Sequence, residues 1–198
     1  MHGIDIGRKL NLDEVNYLAA SNFGFVARYI SGDPANPKNM NSDEVAAILS
    51  RRLGIVPVFQ NSANFSGYFT RAQGVADGQA ARAALIALSC PLGLPVCFAV
   101  DFNTAGGDIP ALTEYFNGVF EGLDGAYVAG VYGEYDLMKF ARENFPALGF
   151  FWQTYAWSAA QVYAPADVLQ HANGVALMQG QLICDLNSAA TPPRWRIA

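Results

Sequence analysis

Asp5, Asp101 and Asp185 each close a short apolar run, and Glu134 follows another by two residues. Cleaving a glycosidic bond takes one carboxylic acid to protonate the leaving oxygen and a second group to stabilise the oxocarbenium-like transition state. These four carboxyls could supply both. Arg28, Tyr29, Gln60, Asn103, Tyr132, Trp152 and Gln179 fall at similar places in the chain, with Tyr155 and Trp157 just beyond. Aromatic faces suit stacking on sugar rings, and polar side chains suit their hydroxyls. Any one of these residues also reads as ordinary packing or as a turn. Their recurrence at the ends of several strands points to one shared pocket.

Asp101 and Asn103 would share a face if a strand ran through both, since side chains two apart point the same way. The Thr-Ala-Gly-Gly that follows allows an alternative, in which Asp101 ends the strand in an Asx turn. Asp5 sits in GIDIG among apolar neighbours. Unpaired buried charge is costly, so a cationic partner such as Arg8 or Arg28 is expected for it.

Other chemistries find no support. The chain has no G-x-S-x-G elbow, G-x-G-x-x-G, P-loop or H-E-x-x-H, and its histidines are His2 and His171. Cys90, Cys97 and Cys184 lie in apolar runs rather than at disulfide or zinc spacings. Neither a metal nor a cofactor is expected. Twelve Lys+Arg against 17 Asp+Glu leave a net charge of -5, which speaks against nucleic acid as a partner. The uncharged stretches Ala83–Val100 and Asn144–Ala166 are broken by Pro91, Pro95 and Pro146, so they read as buried elements rather than membrane spans. MHGIDIGRKL lacks the apolar core of a signal peptide, so release or another export route is expected if the protein works at a cell wall.

To bring these residues together the chain needs a repeated strand-helix framework. Strands are predicted at Gly3–Ile6, Gly24–Ile30, Ile55–Gln60, Val96–Phe102, Tyr127–Tyr132, Gly149–Thr154, Val175–Gln179 and Leu182–Leu186. Asn11 with Glu14 and Asn41 with Glu44 have the spacing of a capping box and open two helices. Further helices are predicted over Asp77–Ser89, Pro110–Leu123 and Glu134–Asn144, with a short one from Pro165. Length, at 198 residues, and a 52% apolar composition fit one sizeable core. The prediction is an α/β fold: an irregular (β/α)8 TIM-like barrel in a single domain, with shortened helices in its C-terminal part. The barrel is placed at residues 1–188. Residues 189–198, with Pro192 and Pro193, form a tail that is either a strap or the start of a linker.

Several segments, in order and spacing, resemble a known family: the glycoside-hydrolase-like domain of unknown function related to the family 25 lysozymes. They are GIDIG at 3–7, ARYISG at 27–32, GIVPVFQN at 54–61, Gly74–Ala84 with Asp77, CFAVDFN at 97–103, YFNG at 115–118, YVAGVYGEY at 127–135 and QGQLICDLN at 179–187. The resemblance implies an irregular barrel with its site at the strand carboxyl ends, and hydrolysis of peptidoglycan glycan of the lysozyme or endolysin type. It places the first-strand aspartate on Asp5, the aspartate of D-x-E on Asp101 and the last-strand aspartate on Asp185. Tyr132 and Trp152 match ring-contacting positions. Where the lysozymes carry the glutamate of D-x-E, this chain has Asn103, which cannot act as a carboxylic acid. Glu134 is then the candidate replacement acid. The alternative is a catalytically silent, glycan-binding barrel.

Overall fold

The computed structural model describes residues 1–191, 195 and 196. The strand-helix rhythm closes into an eight-stranded barrel in strict sequence order. β1 (His2–Asp5), β2 (Phe23–Ile30), β3 (Gly54–Phe59), β4 (Pro95–Ala99), β5 (Val128–Gly133), β6 (Phe150–Thr154) and β7 (Val168–Leu177) run parallel. β8 (Leu182–Ala189) returns antiparallel to both β7 and β1 and closes the ring. The helices α1 (Leu12–Ala20), α2 (Ser42–Ser50), α3 (Arg71–Ala87), α4 (Ile109–Leu123) and α5 (Tyr135–Asn144) cover the connections after the first five strands.

Two expectations for the last third need correction. Pro165 opens no helix, because residues 155–167 are stitched to β6 instead. The Gln153 side chain donates to Gln161 O at 2.8 Å and accepts from Tyr163 N at 2.7 Å, while Asp167 accepts from Phe151 N at 2.8 Å. β7 begins at Val168 rather than Val175. Its register slips between Gln170 and Ala172 and again before Val175, which hides the alternation a strand would show in the sequence.

The helix starts follow from local hydrogen bonding. Asn11 and Glu14 form the reciprocal box expected of them. Asn41 caps α2 through Glu44 N, but Glu44 turns its carboxylate inward, to Arg28 Nε at 2.7 Å and Leu10 N at 2.9 Å. The fully buried Arg28 also donates to Ile6 O and Lys38 O. Fed from several sides, this buried pair is satisfied, as an ion pair outside water must be.

Against the barrel, α3 and α4 cross at backbone contact. A Cβ added at Gly74 would lie 2.0 Å from Tyr115 O, at Gly118 2.2 Å from Arg71 O and at Gly122 2.3 Å from Val75 O. Only glycine fits, and backbone atoms cannot step aside as a flexible side chain would.

At the opposite end of the barrel from the carboxylates, Ile55 N donates to Trp195 O at 2.8 Å and the Trp195 ring is buried beside Pro95, Val128 and Phe150. Trp195 therefore lies against the floor of the barrel, and β8 itself runs one residue past 188. Pro192 and Pro193 lie outside the described residues. Among the described residues no helix is long and apolar enough to cross a membrane.

Gly118→Ala should destabilise the chain by about 1–3 kcal/mol or more through overpacking. Gly107→Ala, where a Cβ meets nothing within 4 Å, should stay within about 0.5 kcal/mol of the parent. Equal midpoints in urea for the two variants would refute the close-packing account.

Candidate active site

Pairing of β1 with β8 sets Asp5 opposite Asp185 and Gly3 opposite Asn187. Directly opposed residues of an antiparallel pair face the same way, so all four look into the barrel. Gly3 leaves room for Phe25, whose ring would stand 2.4 Å from a Cβ there and so floors the site.

Gln170 of β7 ties the site together. Its Nε2 donates to Asp5 Oδ2 at 2.8 Å and to Asp185 Oδ2 at 3.3 Å. Its Oε1 accepts from Thr154 Oγ1 at 2.7 Å and from the Tyr132 hydroxyl at 3.1 Å. Asn187 Nδ2 also donates to Asp5 Oδ2 at 2.8 Å, and its Oδ1 accepts from Trp152 Nε1 at 2.9 Å. An indole N–H only donates, so it fixes which end of the Asn187 amide meets the carboxylate. Tyr29 completes the set, its hydroxyl donating to Asp5 Oδ1 at 3.4 Å.

Asp5 is thus held by neutral donors alone, and the expected arginine partner is absent. Arg28 is committed to Glu44, and Arg8 to Glu14 across an ion pair at 2.5 Å. Burial pushes the Asp5 carboxyl up to about 7, against the pull of the Asn187 and Gln170 bonds and with a smaller push from the charge of Asp185. Burial also raises Tyr29 and Tyr132 well above the ordinary phenol range, so both stay protonated donors. Asp185 accepts a further bond from Gly174 N at 2.7 Å. Gly174, at φ +63°, supplies the left-handed residue that the irregular stretch of β7 needs there.

Asp101 stands on the other side of the mouth. β4 ends at Ala99, so no strand runs through Asn103, and the predicted shared face of Asp101 and Asn103 is not formed. Asp101 is half-buried and accepts from Gln60 Nε2 at 3.0 Å, while its own N donates to Ala63 O. Asn103 is exposed in the following loop. Asp101, Gln60, Tyr29, Tyr132 and Trp152 line a cavity of about 20 Å³ at the barrel mouth, room for a water but not for a sugar ring.

Three further residues stand elsewhere than expected. Arg28 lies behind the barrel wall with no exposed surface, because in β2 it alternates with the inward-facing Tyr29. Gln179 sits exposed at the tip of the β7–β8 hairpin at φ 56°, and the position in that strand that reaches the mouth is Gln170. Glu134, the candidate replacement acid, does not line the mouth cavity. It is buried as the N-cap of α5, accepting from Asp136 N at 2.6 Å, Leu137 N at 2.9 Å and the Thr104 hydroxyl. Trp152 is fully buried with its ring edge-on to Tyr132, centroids 4.8 Å apart, so it forms wall rather than platform. Tyr155 and Trp157, each 45% exposed, are the open aromatic faces just past β6.

Gln170 and Thr154 escaped the sequence reading. Gln170 follows only two apolar residues in a stretch without clean alternation, so nothing marked it as a strand end. Thr154 closes β6 beside the more conspicuous Trp152 and Gln153.

Aspartates and amides converging at the mouth of a closed strand barrel are the arrangement of a glycoside-hydrolase-like domain. The chain belongs to the Rv2525c-like, glycoside hydrolase-like domain family, whose model matches residues 16–189. It is 26% identical to the uncharacterized protein FadG of Bacillus subtilis over 131 residues, covering 63% of this chain but only 23% of FadG. Among solved structures it resembles the Tat-secreted protein Rv2525c of Mycobacterium tuberculosis, crystallised with L-tartrate, at a TM-score of 0.80 and 19% identity over 96% of each chain. It also resembles GHIP, a glycosyl hydrolase 25 of Streptococcus pneumoniae, at a TM-score of 0.65 and 12% identity, covering 96% of this chain and 86% of that one. At such identities these likenesses establish a shared fold.

The raised carboxyl has a consequence for stability. With a folded pKa of about 7 against an ordinary 3.8, Asp5 holds a proton that the unfolded chain releases. Its contribution is complete below about pH 4 and is lost as pH rises through 7. Carbon-detected NMR should show the Asp5 carboxyl titrating near 7, and in Asp185→Asn it should titrate lower, because one negative neighbour is gone. A midpoint near 4 in the parent would refute this electrostatic reading.

Proposed function

We propose that the chain is a glycoside hydrolase of the lysozyme type acting on the glycan strands of peptidoglycan. The observation that carries this reading is Asp5, a carboxyl poised near neutral pH and hydrogen-bonded to Tyr29, which lines the mouth. A general acid is most useful when its pKa lies near the working pH. In this scheme the sugar lies over the narrow cavity, against Tyr155 and Trp157. With Asp5 protonated, the hydrogen bond to Tyr29 reverses: the Asp5 carboxyl gives its proton to the Tyr29 oxygen as the Tyr29 hydroxyl gives its own to the leaving oxygen. Asp101, across the mouth, either stabilises the developing positive charge or orients the substrate's acetamido group or a water. Asp185 shares the Gln170 amide with Asp5, and its charge adds to the upward push on the Asp5 carboxyl. The resemblance to family 25 lysozymes supports the substrate class. Action at a wall would require release or export, and Rv2525c is described as Tat-secreted.

A second reading has its own support. Asn103 stands where the lysozymes carry their acid, and Glu134 is consumed as a helix cap. A barrel that binds glycan without cleaving it would look the same at its rim.

Purified peptidoglycan should yield new reducing ends with the parent protein, and Asp101→Asn and Asp5→Asn should each lower the rate by about 100-fold or more. The parent rate should fall as pH rises above about 7, where Asp5 loses its proton. Release of free amines instead would assign an amide hydrolase. Pelleting with the wall and no product would favour the silent barrel.

A further inference from the structure

The mouth carries aspartates, and the arginines nearest to it are spent on Glu14 and Glu44. Lys38 is different. It sits exposed between β2 and α2 with its Nζ 5.3 Å from the centroid of the Tyr29 ring, and Tyr29 lines the cavity together with Asp101. Its stem passes Gly7, where a Cβ would lie 3.6 Å from Lys38 Cε. Among the described residues it is the one cation packed on a residue of the mouth, and it forms no ion pair there.

The backbone holds it in place. Lys38 N donates to Asn36 Oδ1 at 3.0 Å and Lys38 O accepts from Arg28 Nη2 at 3.0 Å. The next two residues are tied down as well: Asn39 donates through its side chain to Asp33 O and bridges to Tyr29, and Met40 N donates to Tyr29 O at 2.9 Å. The loop is therefore anchored on both sides of the lysine. An ammonium resting on a ring still has donors to offer outward.

We infer that Lys38 reads a carboxylate on the bound sugar, so that the preferred ligand is a glycan whose hexose carries one acidic substituent. The inference rests on the glycan reading above and narrows it to strands whose sugar carboxylate is free, because a lactyl group still carrying its stem peptide is an amide and has no charge for Lys38. A charge-assisted bond from an ammonium to a carboxylate is shorter and stronger than one to a hydroxyl. Asp101 and Asp185 disfavour a second negative charge beside the first, which favours a monoanionic carboxylate over a dianionic phosphate. The same chemistry occurs as a lactyl ether on an amino sugar and as the C6 acid of a uronate, and both must be tried.

Calorimetric titrations would use the disaccharide of N-acetylglucosamine and N-acetylmuramic acid, the same disaccharide with its lactyl carboxylate converted to the amide, diacetylchitobiose and digalacturonate. The parent should bind the first about threefold to tenfold more tightly than its amide at low salt, and the gap should shrink as salt rises. Lys38→Gln should close that gap, whereas Lys38→Arg should keep most of it, with unchanged melting temperatures showing that both variants fold. Digalacturonate binding better than the lactyl sugar would assign the uronate as source. Equal affinity for acid and amide in the parent, or a preference that survives Lys38→Gln, would overturn the inference while leaving the glycan reading intact. No binding of any sugar would overturn both.

Discussion

The site depends on one constraint, that the last strand must close the barrel against the direction of the other seven. Returning antiparallel, β8 lies directly opposite β1, and in that register Asp185 faces Asp5 and Asn187 faces Gly3. A parallel last strand would have had to cross back through a helix, with its own carboxyl end at the mouth. Here a hairpin suffices, so an inward residue near the start of β8 and one near the end of β1 become neighbours. The bulged stretch of β7 belongs to the same solution, since it aligns Gln170 with the mouth and gives Asp185 a backbone partner at Gly174.

That geometry matters because of what has been kept out of it. A guanidinium beside Asp5 would hold its carboxyl ionised and low. The chain has two arginines close at hand in sequence and ties each to a glutamate on a neighbouring helix, Arg8 to Glu14 and Arg28 to Glu44. Their charge is satisfied outside the barrel. Inside, amides and a phenol are the donors, and burial wins over their combined pull. The buried Arg28–Glu44 pair therefore does two things: it joins α2 to β2, and it keeps from Asp5 the cation that would hold its carboxyl ionised.

Much of this was legible in the sequence, and the failures share a cause. Strands β1 to β6 announced themselves as apolar runs ending in polar residues, and Asn11 and Asn41 as helix caps. Asp5, Asp101, Tyr29, Tyr132 and Gln60 stand at the mouth because a parallel strand delivers its last inward residue there. Alternation fails as a guide where the backbone stops alternating. The strand expected over Val96–Phe102 ends at Ala99, and the strand expected to end at Gln179 is a bulged ribbon that passes the mouth at Gln170. A sequence also cannot say which acceptor a side chain will choose. Glu44 has the spacing of a capping box and spends its carboxylate on Arg28 instead, while Glu134 looks like a free acid and caps its own helix.

Glu134 also bears on how far the lysozyme analogy extends. On a regular strand the two acids of a D-x-E motif, two residues apart, would face the same way. Here the residue two past Asp101 lies in an exposed loop, and the nearby glutamate is enclosed by two backbone N–H groups and the hydroxyl of Thr104, a residue of that loop. Glu134 so anchors the segment that carries Asp101 and Asn103 to α5, which positions Asp101 without reaching the cavity. On the proposed reading, a proton for a bound glycan comes from the opposite wall, where the Asp5 carboxyl is raised, and passes through the Tyr29 hydroxyl above it. On that reading, residue 103 offers no acid at the rim, and the raised carboxyl of Asp5 offers one from the interior.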